Sequence, residues 1–131
     1  MIKIIHTMIR VRDLDRSLKF YADVLNLSVS HRLDFQEFSL VYIRNDQSDF
    51  EIELTWNKGR EEAYTHGDGY GHVAVVVDDV SLRHAQLNEL GYAPLPVKEF
   101  NNGDILLARF FFILDPDGYK IEVLEKLGHY R

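Results

Sequence analysis

A chain of 131 residues with 21 acidic and 15 basic side chains, and a net charge of -6, is poorly suited to gripping nucleic acid or an anionic membrane by charge. Its 46% apolar content, including 8 Phe and 7 Tyr, is enough for a folded core, so a small-molecule enzyme or binding protein is the better expectation. It contains no cysteine, which excludes disulfides, thiolate ligands and a cysteine nucleophile and leaves only nitrogen and oxygen donors for any metal.

The apolar stretch from Met1 to His6 is too short for a signal peptide, and no later window approaches the roughly 20 apolar residues of a membrane span. A cytoplasmic location is therefore expected. The β-branched run His6–Val11 predicts a strand, and Asp13 offers a side-chain cap for a helix behind it. Leu14, Leu18, Tyr21 and Leu25 recur at helical spacing and predict one apolar stripe, ending near Asn26. Three strand-like runs follow at 28–33, 38–43 and 50–55.

At residue 72, 66 positions after His6, the order begins again. A β-branched run at 72–77 precedes Asp78-Asp79 and a helical stretch ending at Leu90-Gly91, with strands expected at 95–100, 106–114 and 119–124. Asp46 and Asp115, Ile52 and Ile121, Glu53 and Glu122, and Leu54 and Val123 align at a constant offset of 69. The chain thus reads as an α+β fold of tandem βαβββ modules, module one at 1–65 and module two at 66–131 of a single domain. Each module opens its first strand with a histidine and carries a glutamate in its last, residue types that serve divalent metals.

Strand alternation sharpens this reading, because every second side chain faces the same side of a sheet. His6, Met8 and Arg10 share one face, and Glu51, Glu53, Thr55 and Asn57 share another. Phe50, Ile52 and Leu54 are left for packing, and Glu122 projects away from Ile121 and Val123.

Four segments, in this order and spacing, resemble glyoxalase I, the lactoylglutathione lyase family of the vicinal oxygen chelate superfamily. They are His6-Thr7-Met8-Ile9-Arg10-Val11 with Asp13 to Ser17, Glu53-Leu54-Thr55-Trp56-Asn57, Tyr70-Gly71-His72, and Asp115-Pro116-Asp117-Gly118-Tyr119-Lys120-Ile121-Glu122. The resemblance implies cupped half-barrel sheets of the glyoxalase/bleomycin-resistance type. It also implies a metal held by His6, Glu53, His72 and Glu122, in sites shared between the subunits of a homodimer. Nickel or cobalt is the metal expected for a compact chain of this kind, with zinc the alternative. The substrate it implies is the hemithioacetal of methylglyoxal, a 2-oxoaldehyde, with glutathione as thiol cosubstrate, and the product is S-lactoylglutathione. Glu122 is then the candidate base and Glu53 a ligand and partner in the opposite proton transfer. Arg10 and Asn57 match positions that hold the glutathione portion, an arginine gripping a carboxylate and an amide both donating and accepting.

The sequence departs from that pattern in places. Asp104, in Phe100-Asn101-Asn102-Gly103-Asp104, and Asp68 stand where glutathione-using relatives carry basic residues, and Lys98 or Arg109 are the cations expected to compensate. Trp56 replaces a tyrosine, and its parity turns it away from Glu53 toward packing. His31, His66, His84 and His129 have no repeat partner at a ligand position, which suggests surface or tail roles. Asp115-Pro116-Asp117-Gly118 is expected to be a turn rather than a calcium loop. Two other functions fit the same frame: a metal-dependent dioxygenase or isomerase of the superfamily, and a metal-free protein that sequesters a small molecule.

Overall fold

The computed structural model describes all residues from Met1 to Arg131 and divides them into two compact units, Met1–Thr65 and His66–Arg131. The first holds β1 (His6–Val11), α1 (Leu14–Leu25), β2 (Ser28–Asp34), β3 (Phe38–Arg44) and β4 (Glu51–Asn57). Its sheet runs in the order β1-β4-β3-β2, with β1 parallel to β4 and the other neighbours antiparallel. The parallel pairing follows from the helical crossover, since two strands running the same way need a connection long enough to return the chain.

Local chemistry sets the limits of α1. Asp13 is extended, and its carboxylate accepts the Arg16 N–H at 3.1 Å, satisfying a donor that the first helical turn leaves free. At the other end Asn26 takes a left-handed conformation with φ 55°, and the Leu27 N–H returns to the Tyr21 carbonyl at 3.1 Å. The buried stripe of the helix is Leu14, Ser17, Phe20, Tyr21 and Val24, whereas Leu18 and Leu25 are only half-buried. The stripe is therefore rotated from the one expected, with the small polar Ser17 fully buried in it. Ile9, Val11, Val41, Ile43, Ile52 and Leu54 supply the packed face of the sheet. Phe50 was expected among them but is exposed, because β4 begins one residue later.

The second unit repeats the plan with β5 (Val73–Val77), α2 (Val80–Glu89), β6 (Lys98–Asn102), β7 (Ile105–Leu114) and β8 (Lys120–Glu125), in the order β5-β8-β7-β6. Asp79 caps α2 through the Leu82 N–H at 2.9 Å. Only Val80 and Leu87 of this helix are fully buried, against Phe111, Ile113, Ile121 and Val123 of the sheet core. Most expected boundaries shift by one or two residues, and two of the shifts bear on the site and its neighbours. His72 immediately precedes its strand, and β6 starts at Lys98 instead of residue 95 because Pro94 and Pro96 remove ladder donors around Leu95. No helix is long and apolar enough to cross a membrane.

Candidate metal centre

Because β4 lies between β1 and β3, a side chain on its polar face is flanked from both sides. Glu53 pairs with Met8 on β1 and with Tyr42 on β3. His6 stands opposite Glu51, one same-face position earlier, and its imidazole reaches along the sheet to place Nε2 2.9 Å from Glu53 Oε2. Thr55, two residues on, donates its hydroxyl to Glu53 Oε1 at 3.4 Å. The Tyr42 ring meets His6 edge-on at 5.5 Å and 73°. Burial first, then the charge of Glu53 and a hydrogen bond to it, raise the Tyr42 phenol above its ordinary value.

The second unit builds a matching pair from equivalent elements. Glu122 on β8 is flanked by Ala74 on β5 and Phe112 on β7, and His72 Nε2 lies 3.5 Å from Glu122 Oε1. The Phe112 ring meets His72 at 5.4 Å and 75°, nearly the arrangement of Tyr42 against His6. Both glutamates are mostly covered, while His6 and His72 keep 33% and 40% of their side chains exposed, so each pair is open on its imidazole side.

These donors suit a divalent ion. Metal–ligand bonds of about 2.1 Å place neighbouring donors roughly 3.0 Å apart in an octahedron and roughly 3.4 Å apart in a tetrahedron. The separations of 2.9 Å and 3.5 Å fall at those edges. The donors are imidazole nitrogen and carboxylate oxygen, a set shared by nickel, cobalt and zinc. The structure thus brings His6 to Glu53 and His72 to Glu122, and within either unit no group of three or more such side chains gathers on one point.

Arg10 and Asn57 follow on the same faces as His6 and Glu53, toward the C-terminal ends of the parallel pair β1 and β4. Arg10 is exposed opposite Thr55, and Asn57 donates from Nδ2 to the Tyr64 hydroxyl at 3.3 Å. Arg60 in turn covers the Tyr64 ring at 4.3 Å. Trp56 is half-buried, and its indole donates to the Arg12 carbonyl at 3.2 Å, in keeping with a packing role.

Arg109 does not compensate for the acidic Asp104. It is paired with Glu125 and Glu99, and the hydrogen bond to Glu125 is the main cause raising its proton affinity further. Two histidines also depart from simple surface roles. His66 stacks on Tyr119 at 4.2 Å, and His84 bonds the Leu95 carbonyl at 2.9 Å, tying α2 to the segment before β6. The Asp115 carboxylate accepts the Asp117 and Tyr119 N–H groups at 2.9 Å each, forming the expected turn. Tyr42 and Tyr64 are the polar neighbours that motif reading passes over. For Tyr42 the signal is its parity, opposite to the packed Val41 and Ile43.

Two mixed sheets, each crossed by one helix and each carrying a His–Glu pair, define a member of a tandem βαβββ fold class. The chain belongs to the glyoxalase/bleomycin resistance protein/dioxygenase superfamily, whose model matches residues 3–123. It is 42% identical to the lactoylglutathione lyase of Haemophilus influenzae, with 94% of this chain and 92% of that one covered. It is 37% identical to a probable lactoylglutathione lyase of Synechocystis, over 93% of this chain and 94% of the relative. Among solved structures it is similar to the trypanothione-dependent glyoxalase I of Leishmania major, at 35% identity and a TM-score of 0.76, covering 96% of this chain and 88% of that one.

Proposed function

We infer that this chain is a lactoylglutathione lyase, a glyoxalase I that isomerises the hemithioacetal of methylglyoxal and glutathione to S-lactoylglutathione. The observation that carries this reading is the recurrence of a His–Glu donor pair at matched places in both modules, in a chain with full-length similarity to such enzymes. His6, Glu53, His72 and Glu122 are its proposed ligands, with nickel or cobalt preferred to zinc. The same reading includes assembly in a cytoplasmic homodimer, His6 and Glu53 of one subunit facing His72 and Glu122 of a second copy, the arrangement that the resemblance to glyoxalase I implies.

When bound, the divalent metal supplies positive charge that stabilises the enediolate formed between the two substrate carbons. The remaining work belongs to the chain's own groups. Glu122 takes the proton from the carbon bearing sulfur, and a proton is delivered to the neighbouring carbon, so the aldehyde carbon ends as a thioester carbonyl and the ketone carbon as an alcohol. Glu53 remains a ligand and is the partner carboxylate on the opposite side. Arg10 and Asn57 hold the thiol's peptide portion, the former pairing with a carboxylate and the latter oriented by Tyr64. Glutathione is the proposed thiol, although Asp68 and Asp104 stand where basic residues would grip it.

Metal-stripped protein reloaded with nickel, cobalt or zinc should convert methylglyoxal plus glutathione to S-lactoylglutathione, with activity lost again on chelation. His6→Ala and His72→Ala should each sharply lower metal content while the protein stays folded. Folded protein inactive with all three metals, or full metal retention in both variants, would sink the assignment.

A further inference from the structure

The two half-sites share strand order, register and ring geometry, yet the rings beside their histidines differ by one hydroxyl. Tyr42 occupies in the first unit the place that Phe112 occupies in the second: each lies directly opposite the glutamate on the neighbouring strand, and each meets the histidine edge-on at nearly the same distance and angle. A phenyl ring therefore satisfies the packing at this position. The Tyr42 hydroxyl is an addition that the packing does not require, and the residue directly across the ladder from it is Glu53.

We propose that Tyr42 is a positioning residue that, with Thr55, tethers Glu53 in the orientation of a fixed metal ligand, while Phe112 leaves Glu122 without such a tether. The Thr55 hydroxyl engages Glu53 Oε1 at 3.4 Å and His6 stands 2.9 Å from Oε2, and Tyr42 faces the same glutamate from the neighbouring strand. At Glu122 the flanking residues on both neighbouring strands are Ala74 and Phe112, and neither can donate a side-chain hydrogen bond. A carboxylate held in this way is pre-organised to bind an ion, and one flanked by hydrocarbon is freer to swing aside and collect a proton. The two chemically identical glutamates are thereby assigned unequal work by the hydroxyls beside one of them.

The inference rests on the proposed ligand role of Glu53, and the test separates the two. Cobalt(II) affinity is measured by chelator competition for wild type, Tyr42→Phe, Glu53→Gln and the double variant, together with the visible spectrum of each cobalt-loaded protein and the Tm of each metal-free one. Removing a group that orients a metal ligand typically weakens binding by about 10- to 100-fold. Tyr42→Phe should therefore lose about 10-fold or more in cobalt affinity and shift the cobalt spectrum, with the Tm of the metal-free protein unchanged. In the Glu53→Gln background the same substitution should have little further effect, because the group it acts through has been altered. Unchanged affinity and spectrum in Tyr42→Phe, or losses that simply add in the double variant, would overturn the tether while leaving the ligand assignment standing. Wild-type protein that binds no cobalt would overturn both.

Discussion

Glu53 and Glu122 carry the same functional group at matched positions, and their neighbours make them different reagents. Glu53 is covered, accepts from Thr55 and sits beside Tyr42, whereas Glu122 has hydrocarbon on both flanking strands and His72 at 3.5 Å. A general base must leave its resting contacts to meet a proton on carbon, which favours Glu122 for that role. Glu122→Gln keeps the size and one coordinating oxygen but removes an effective base. It should retain substantial metal and lose at least about 100-fold in kcat, the lower end of the usual general-base contribution. Metal content measured beside the rate separates this from simple loss of the ion. Near-normal turnover at full occupancy would move the proton transfer to Glu53.

At the scale of elements, both helices begin in the same way, with an extended aspartate whose carboxylate accepts an N–H three residues on, at 3.1 Å for Asp13 and 2.9 Å for Asp79. The cap matters because each helix is the crossover that sets its module's first strand parallel to its last, and thereby brings histidine to glutamate. Asp13→Ala and Asp79→Ala should each lower stability by about 1 kcal/mol in denaturant titrations, with the slope of the transition unchanged. A loss well below about 0.5 kcal/mol in either would mean that packing alone holds that helix start. Most of the element order is legible in the sequence because the apolar periods are clean. The misplaced features have local causes: the prolines at 94 and 96 delay β6, and Ser17 lies at the centre of a helix face that hydrophobicity alone locates a few residues away.

For the whole molecule, the unit of activity in the proposed mechanism is larger than one chain. Mixing an inactive His6→Ala, Glu53→Ala protein with an inactive His72→Ala, Glu122→Ala protein should restore activity. In a hybrid dimer with sites shared across subunits, one of the two sites recovers all four ligands, whereas sites built from a single chain would recover none. Native mass spectrometry should report the hybrid in proportion to the recovered rate. Hybrids that form without any recovery would reject the shared site.

The sequence by itself determined the tandem βαβββ plan, the four candidate ligands and the polar faces that carry them. Those properties depend on periodicity and repetition, which are written along the chain as the alternation of His6, Met8 and Arg10 and the 69-residue offset from Glu53 to Glu122. Only the tertiary structure decided which neighbours those candidate residues have. Register across the sheet places Tyr42 rather than Leu40 beside Glu53 and commits Arg109 to Glu99 and Glu125. Pairing of strands distant in sequence is set by the joint packing of a whole sheet face, and no single segment contains the information that specifies it.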